Sequence, residues 1–130
     1  MKTPSSVSLL LTIFLAAAPT GCEPSDSRTV PLAPEEIQGV WITDDPAYAD
    51  RKMEILEDGL LFHSAEFTFD PYTIQGVRIE PGYNGATYEI EHSGWESGTL
   101  TLSFFLRAND STLVFRNQPL TVWRRDSAGG

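Results

Sequence analysis

Thr99-Leu-Thr-Leu-Ser-Phe-Phe-Leu106 alternates apolar and polar residues with a period of two. Leu100, Leu102, Phe104 and Leu106 share one face, with Thr99, Thr101 and Ser103 on the other. Successive side chains on an extended chain point to opposite sides, so this is a β-strand with one dry face. Thr87-Tyr-Glu-Ile-Glu91 repeats the pattern, with Tyr88 and Ile90 inward and Thr87, Glu89 and Glu91 outward. Wound as a helix, the same residues would put Glu89 and Glu91 on opposite sides and leave no continuous polar stripe.

Working outward, the same pattern defines eight segments, near 38–43, 52–57, 60–65, 72–80, 86–92, 99–107, 112–116 and 119–125. Turn chemistry marks their joints. Asp58-Gly59 is a two-residue hairpin signal, and Pro81-Gly-Tyr-Asn-Gly85, Ala108-Asn-Asp-Ser111 and Asn117-Gln-Pro119 carry the residues that adopt tight turns. Short joints make consecutive strands antiparallel neighbours. Gly76 splits the fourth segment, since Tyr72 and Ile74 have one parity and Val77 and Ile79 the other. A β-bulge there returns all four to the interior. Asp45-Pro-Ala-Tyr-Ala-Asp50 is the one helical signal, with Asp45 as cap and Pro46 at the first position, worth one or two turns.

An eight-strand meander without a covering helix leaves two open edges unless the first and last strands pair. Closure removes both, which makes the expected fold all-β: a small eight-stranded antiparallel up-and-down barrel, with an open sandwich second. Ile37-Gln-Gly-Val-Trp41, at the start of the first strand, resembles the Gly-x-Trp opening of the lipocalin-like barrels. That resemblance implies that Trp41 closes one end under an arginine of the last strand. Leu120, Val122 and Arg124 share a face, so Arg124 is the expected cover and Arg125 the second choice. A guanidinium lying over an indole contributes about 0.5–2 kcal/mol.

The inward positions are then Trp41, Met53, Ile55, Phe62, Tyr72, Ile74, Val77, Ile79, Tyr88, Ile90, Leu100, Leu102, Phe104, Leu113, Phe115, Leu120 and Val122. Eight strands enclose a space just wide enough for such side chains, leaving at most a small apolar pocket at one mouth. Phe67 and Phe69, in the longest connection, either line that mouth or extend the third strand and pack inside. Trp95, in the turn Ser93-Gly-Trp-Glu-Ser-Gly98, is a contact candidate or a lid on the rim.

The first residues read as an export signal. Lys2 supplies the positive end, and Val7–Ala18 an apolar run of 12 residues, too short to span a bilayer. Pro19-Thr-Gly-Cys22 follows and is similar to a bacterial lipobox, which implies a lipidated Cys22 as the new N-terminus. The alternative is soluble export after Ala18. The expected organisation is a lipoprotein signal peptide at 1–21, a flexible proline-rich tether at 22–34, a barrel domain at 35–126 and a loose tail at 127–130. These features together resemble a small bacterial lipocalin-like lipoprotein, anchored to the cell envelope and facing the periplasm or exterior.

The chain has 130 residues, 18 acidic and 9 basic, for a net charge of −9. Nine dispersed cations do not form a phosphate-binding surface, so no nucleic-acid partner is expected. One cysteine excludes an internal disulfide or multi-cysteine zinc site. Asp44, Asp45 and Asp50 lack the spacing of a calcium loop, and His63 and His92 lack a second ligand at metal spacing, so no metal and no cofactor is expected. Neither histidine pairs with a nucleophile, and no catalytic constellation emerges.

The expected function is therefore that of a non-enzymatic, monomeric binding or interaction module whose ligand or partner the sequence does not name, a small apolar ligand at the mouth being the first candidate. The alternative is an acidic interaction lipoprotein that inhibits a basic cell-wall hydrolase. Asn84-Gly-Ala-Thr-Tyr88 is similar to the glycine-containing loop before a tyrosine in lysozyme-inhibiting lipoproteins, although the paired cysteines of that family are missing. A structural envelope lipoprotein is a third reading.

Overall fold

The computed structural model describes residues 26–94 and 98–127. Among the described residues nine strands form one antiparallel sheet: β1 (Arg28–Val30), β2 (Gly39–Thr43), β3 (Lys52–Ile55), β4 (Gly59–His63), β5 (Tyr72–Gly82), β6 (Gly85–Gly94), β7 (Gly98–Arg107), β8 (Leu113–Phe115) and β9 (Trp123–Arg125). Each strand from β2 to β9 pairs with the next, and β9 pairs back onto β2, so these eight close into a barrel. The closing register sets Trp41 opposite Arg125, Ile42 opposite Arg124 and Thr43 opposite Trp123. Each of the eight segments read from the periodicity contributes a strand, the last only through Trp123–Arg125.

Strand order follows from the turns. Gly82 pairs with Gly85 around Tyr83-Asn84, and Asn84 takes a left-handed φ of 68°. Gly85 has no alternative, because a Cβ there would sit 2.1 Å from the Leu106 carbonyl oxygen. The register of β5 against β6 shifts between Ile74 and Gly76, the bulge that the parity change at Gly76 calls for. It leaves Ile74, Val77 and Ile79 all buried. Asp45 caps two successive turns instead of an α-helix. Its Oδ1 accepts from Ala47 N at 2.9 Å, and the chain folds back through Tyr48 N to Asp45 O and Arg51 N to Tyr48 O.

The sheet also takes in residues assigned to the tether. β4 covers only Tyr72 and Thr73 on one edge of the eleven-residue β5, so the rest of that edge needs another partner. β1 supplies it, pairing Arg28 to Val30 with Ile79 to Val77. Ala33 then donates its N–H to Glu57 O and is buried, and a 3-10 turn at Glu35–Ile37 carries the chain beneath the barrel. The packed domain thus starts before residue 35.

Inside, Ile37, Trp41, Met53, Ile55, Leu60, Val77, Ile90, Phe104 and Leu113 are almost completely removed from water. Each such side chain contributes roughly 1.5–3 kcal/mol by burial. Three positions expected inside are exposed: Leu100, Leu120 and Val122. β8 reaches along β7 only as far as Phe104, so Leu100 projects beyond the wall that would cover it. Residues 117–122 form turns rather than strand, with Gln118 N bonded to Phe115 O and Thr121 N to Gln118 O. Trp123 then takes the inward place, reversing the expected parity and leaving Leu120 95% exposed.

Candidate functional site

One end of the barrel is sealed. Trp41 is fully buried and donates its indole N–H to Ile37 O at 3.0 Å. The cover is Arg125, with Cζ 4.9 Å from the indole centroid and Nη2 donating to Glu36 O. Arg124, the expected cover, instead lies outside and donates from Nη2 to Asp44 Oδ1 at 3.0 Å. The same parity reversal that exposes Leu120 explains the exchange. Tyr88 completes this end by donating its hydroxyl to Glu36 Oε2 at 2.9 Å. Burial, then the hydrogen bond to Glu36 and its charge, push the Tyr88 phenol well above its ordinary range.

From Tyr88 a run of rings climbs to the opposite end. Tyr88 stacks on Phe104 at 5.5 Å, Phe104 meets Phe115 edge-on at 6.0 Å, and Phe115 meets Trp123 edge-on at 5.5 Å. Trp123 approaches Tyr48 at 6.3 Å, and the Arg51 guanidinium stands 5.7 Å from the Tyr48 ring centroid. The lower rings fill the barrel. The upper ones border a cavity of about 470 Å³ at the mouth.

The cavity floor is apolar: Met53, Phe62, Leu102, Phe115 and Trp123. Tyr48, Arg51, Ser64, Phe69, Asn117 and Gln118 form its rim. Lys52 and His63 lie between this space and a shallower groove on the outer wall, which is bordered by Asp50, Glu66, Phe67 and Asp126. Gln118 accepts from Trp123 Nε1 at 3.3 Å, which fixes the indole at the lip.

Asp45 holds the rim together. Its Oδ2 accepts from the Thr121 hydroxyl at 2.6 Å, and Thr43 Oγ1 donates to Val122 O at 2.7 Å. These bonds join the connection after β2 to the connection before β9. The Thr121 hydroxyl and the Ala47 N–H also hold the Asp45 carboxyl below the usual carboxylate range.

Of the residues singled out in the sequence, Phe69 borders the cavity, while Phe67 lies on the outer groove, 63% exposed. Their rings are 6.3 Å apart in a short hairpin closed by Ser64 N to Phe67 O and Phe69 N to Phe62 O. Neither packs inside. Cys22 and Trp95 lie outside the described residues. Tyr88 faces the interior, so what the segment Asn84–Tyr88 presents to solvent is chiefly Asn84, next to the exposed Tyr83. His63 contacts Thr68 Oγ1 at 3.1 Å and Glu54 at 3.7 Å on the outer wall. His92 is buried edge-on against Tyr72, with ring centroids 5.1 Å apart.

The rim residues Tyr48, Arg51 and Gln118 were not legible in advance, since they sit in turns without periodicity. Trp123 had a signal, as the largest apolar residue of the last segment. No family model matches this chain, nor does any curated protein or solved structure.

Proposed function

We propose that the protein is a non-enzymatic binding module that takes a small apolar ligand in the barrel mouth. The observation that carries this reading is the cavity of about 470 Å³ floored by Met53, Phe62, Leu102, Phe115 and Trp123 above an otherwise filled core. Pockets of this size and lining bury most of a small molecule and leave a few polar groups to orient it.

In this reading the module is monomeric and held to a bacterial envelope by lipid on Cys22. Arg28 enters the sheet close enough to Tyr88 to act on its hydroxyl, beside Glu36 at the sealed end. Six residue steps separate Cys22 from Arg28 and span at most about 20 Å, so a lipid there would hold the sealed end towards the membrane and the mouth away from it.

Calorimetry and thermal shift with a panel of fatty acids and neutral apolar molecules test the ligand. Saturable heat and a raised melting temperature are expected with at least one. A flat response across the panel overturns the reading. Membrane fractionation of the Cys22→Ala variant tests the anchor, with release into the soluble fraction expected.

A further inference from the structure

We infer that the ligand of the mouth is an amphipathic anion, with its apolar body on the cavity floor and its acidic group at the rim beside Arg51. The inference deepens the proposed ligand-binding reading and rests on it. Its ground is the separation of charge around the opening. The chain carries 18 acidic residues in 130, so about two acids would fall among thirteen lining residues at its own frequency. Among the described residues none of those lining this cavity is Asp or Glu, whereas the cations Arg51 and Lys52 are there. The acids lie in the adjoining outer groove, where Asp50, Glu66 and Asp126 stand beside the shared Lys52 and His63.

Arg51 is placed for the role by its turn and by Tyr48, whose ring its guanidinium overlies at 5.7 Å while both residues border the cavity. Its ion pair is with Asp50, from Nε at 3.8 Å, and both side chains are more than half exposed. A pair so long and so wet contributes little and is easily shared. An acid on a ligand whose body has displaced water from the floor meets the same guanidinium in a lower dielectric, where a charge-assisted hydrogen bond is stronger. Gln118, its oxygen occupied by Trp123, keeps its amide NH2 as a further donor at the rim. Lys52 is different, because it also borders the outer groove and its partner there, Asp126 at 3.9 Å, has a carboxylate only 16% exposed.

Two fluorescent probes with the same phenylaminonaphthalene body separate the claims: anilinonaphthalene sulfonate carries an acidic group, and N-phenylnaphthylamine does not. Titrated into the protein at low salt, the sulfonate should bind about tenfold more tightly. Arg51→Gln should remove that preference, weakening the sulfonate far more than the neutral probe, and Lys52→Gln should reduce the preference by much less than Arg51→Gln does. Phe69→Ser, at an exposed rim position, should weaken both probes alike. Competition by decanoate, decyl phosphate and decanol identifies the acid, with one or both acids displacing the sulfonate at concentrations where decanol does not.

Equal affinity for the two probes, a preference that survives Arg51→Gln, or displacement by decanol as effective as by the acids overturns the anionic ligand while leaving an apolar ligand standing. Failure of both probes to bind, or binding indifferent to Phe69→Ser, overturns the mouth as a binding site and this inference with it.

Discussion

Arg125 lies across Gly39 and Trp41 at once: its Nε is 3.3 Å from where a Gly39 Cβ would be, and its Cζ is 4.9 Å from the indole centroid. The glycine and the tryptophan of the Gly-x-Trp opening therefore serve a single contact, which the β2–β9 pairing brings together at the seam of the barrel. Arg125→Ala should cost about 1–2 kcal/mol, through the lost cation–π contact and the lost packing of its stem. Arg124→Ala removes only an exposed ion pair with Asp44 and should stay within about 0.5 kcal/mol. Urea unfolding of both variants measures the difference, and equal losses would show that the cover does not stabilise the seam.

Gly39→Ala should destabilise for two reasons: its φ of +132° is strained for any residue with a side chain, and the new methyl group presses on Arg125. A loss of about 1–3 kcal/mol is expected from the backbone alone. Made together with Arg125→Ala, the substitution should cost less than when made alone, because the steric part disappears with the arginine. A double-mutant cycle reads that coupling, and strict additivity would assign the whole effect to the backbone.

The strands were legible where one face is dry along the whole segment. β6 and β7 pair over ten residues each, so the alternation at Tyr88, Ile90, Leu102 and Phe104 reports a real inside and outside. At Gly76 the parity change itself revealed the bulge. The last segment misled because only Trp123–Arg125 is strand, and the alternation of Leu120 and Val122 belongs to turns. Placing Trp123 inward would have exchanged Arg124 for Arg125. β1 was hidden because its only role is to complete an edge of β5, and the need for it arises from strand lengths in three dimensions, not from its own residues.

Phe104 and Leu120 test that distinction. Phe104 is packed between Tyr88 and Phe115, whereas Leu120 stands in water. Phe104→Ala should cost about 3–5 kcal/mol through lost burial and the cavity left behind. Leu120→Ser should change stability by less than about 0.5 kcal/mol. Chemical unfolding compares them, and a large loss at Leu120 would return it to the interior.

Alkaline stability should report the sealed end. The folded Tyr88 phenol titrates above its unfolded value, so its contribution is complete below about pH 10 and falls away as pH rises towards the folded value. Tyr88→Phe keeps the ring on Phe104 but has no proton to lose. Its melting temperature should decline less than that of the parent above pH 10, and parallel curves would remove Tyr88 from the account.

Asp45 should set part of the acid limb, with the opposite sign. Its folded carboxyl titrates below the ordinary value of 3.8, because the Thr121 hydroxyl and the Ala47 N–H bond to the charged form. Stability from these bonds is present above that unfolded value and is lost as pH falls through the lower folded one. Asp45→Asn cannot titrate, so it should be less stable at neutral pH and should lose less on acidification from about pH 5 to 2. Asp110 is the control, since its carboxyl is lowered chiefly by Thr112 within the turn before β8, away from the mouth. Asp110→Asn should flatten the acid limb without altering probe binding. Asp45→Asn should do both, because Thr121 and Asp45 join the two connections that carry Tyr48, Arg51 and Gln118. Thermal midpoints against pH, with probe affinity measured at neutral pH, separate the two variants. Unchanged affinity in Asp45→Asn would show that the mouth keeps its shape without this bond.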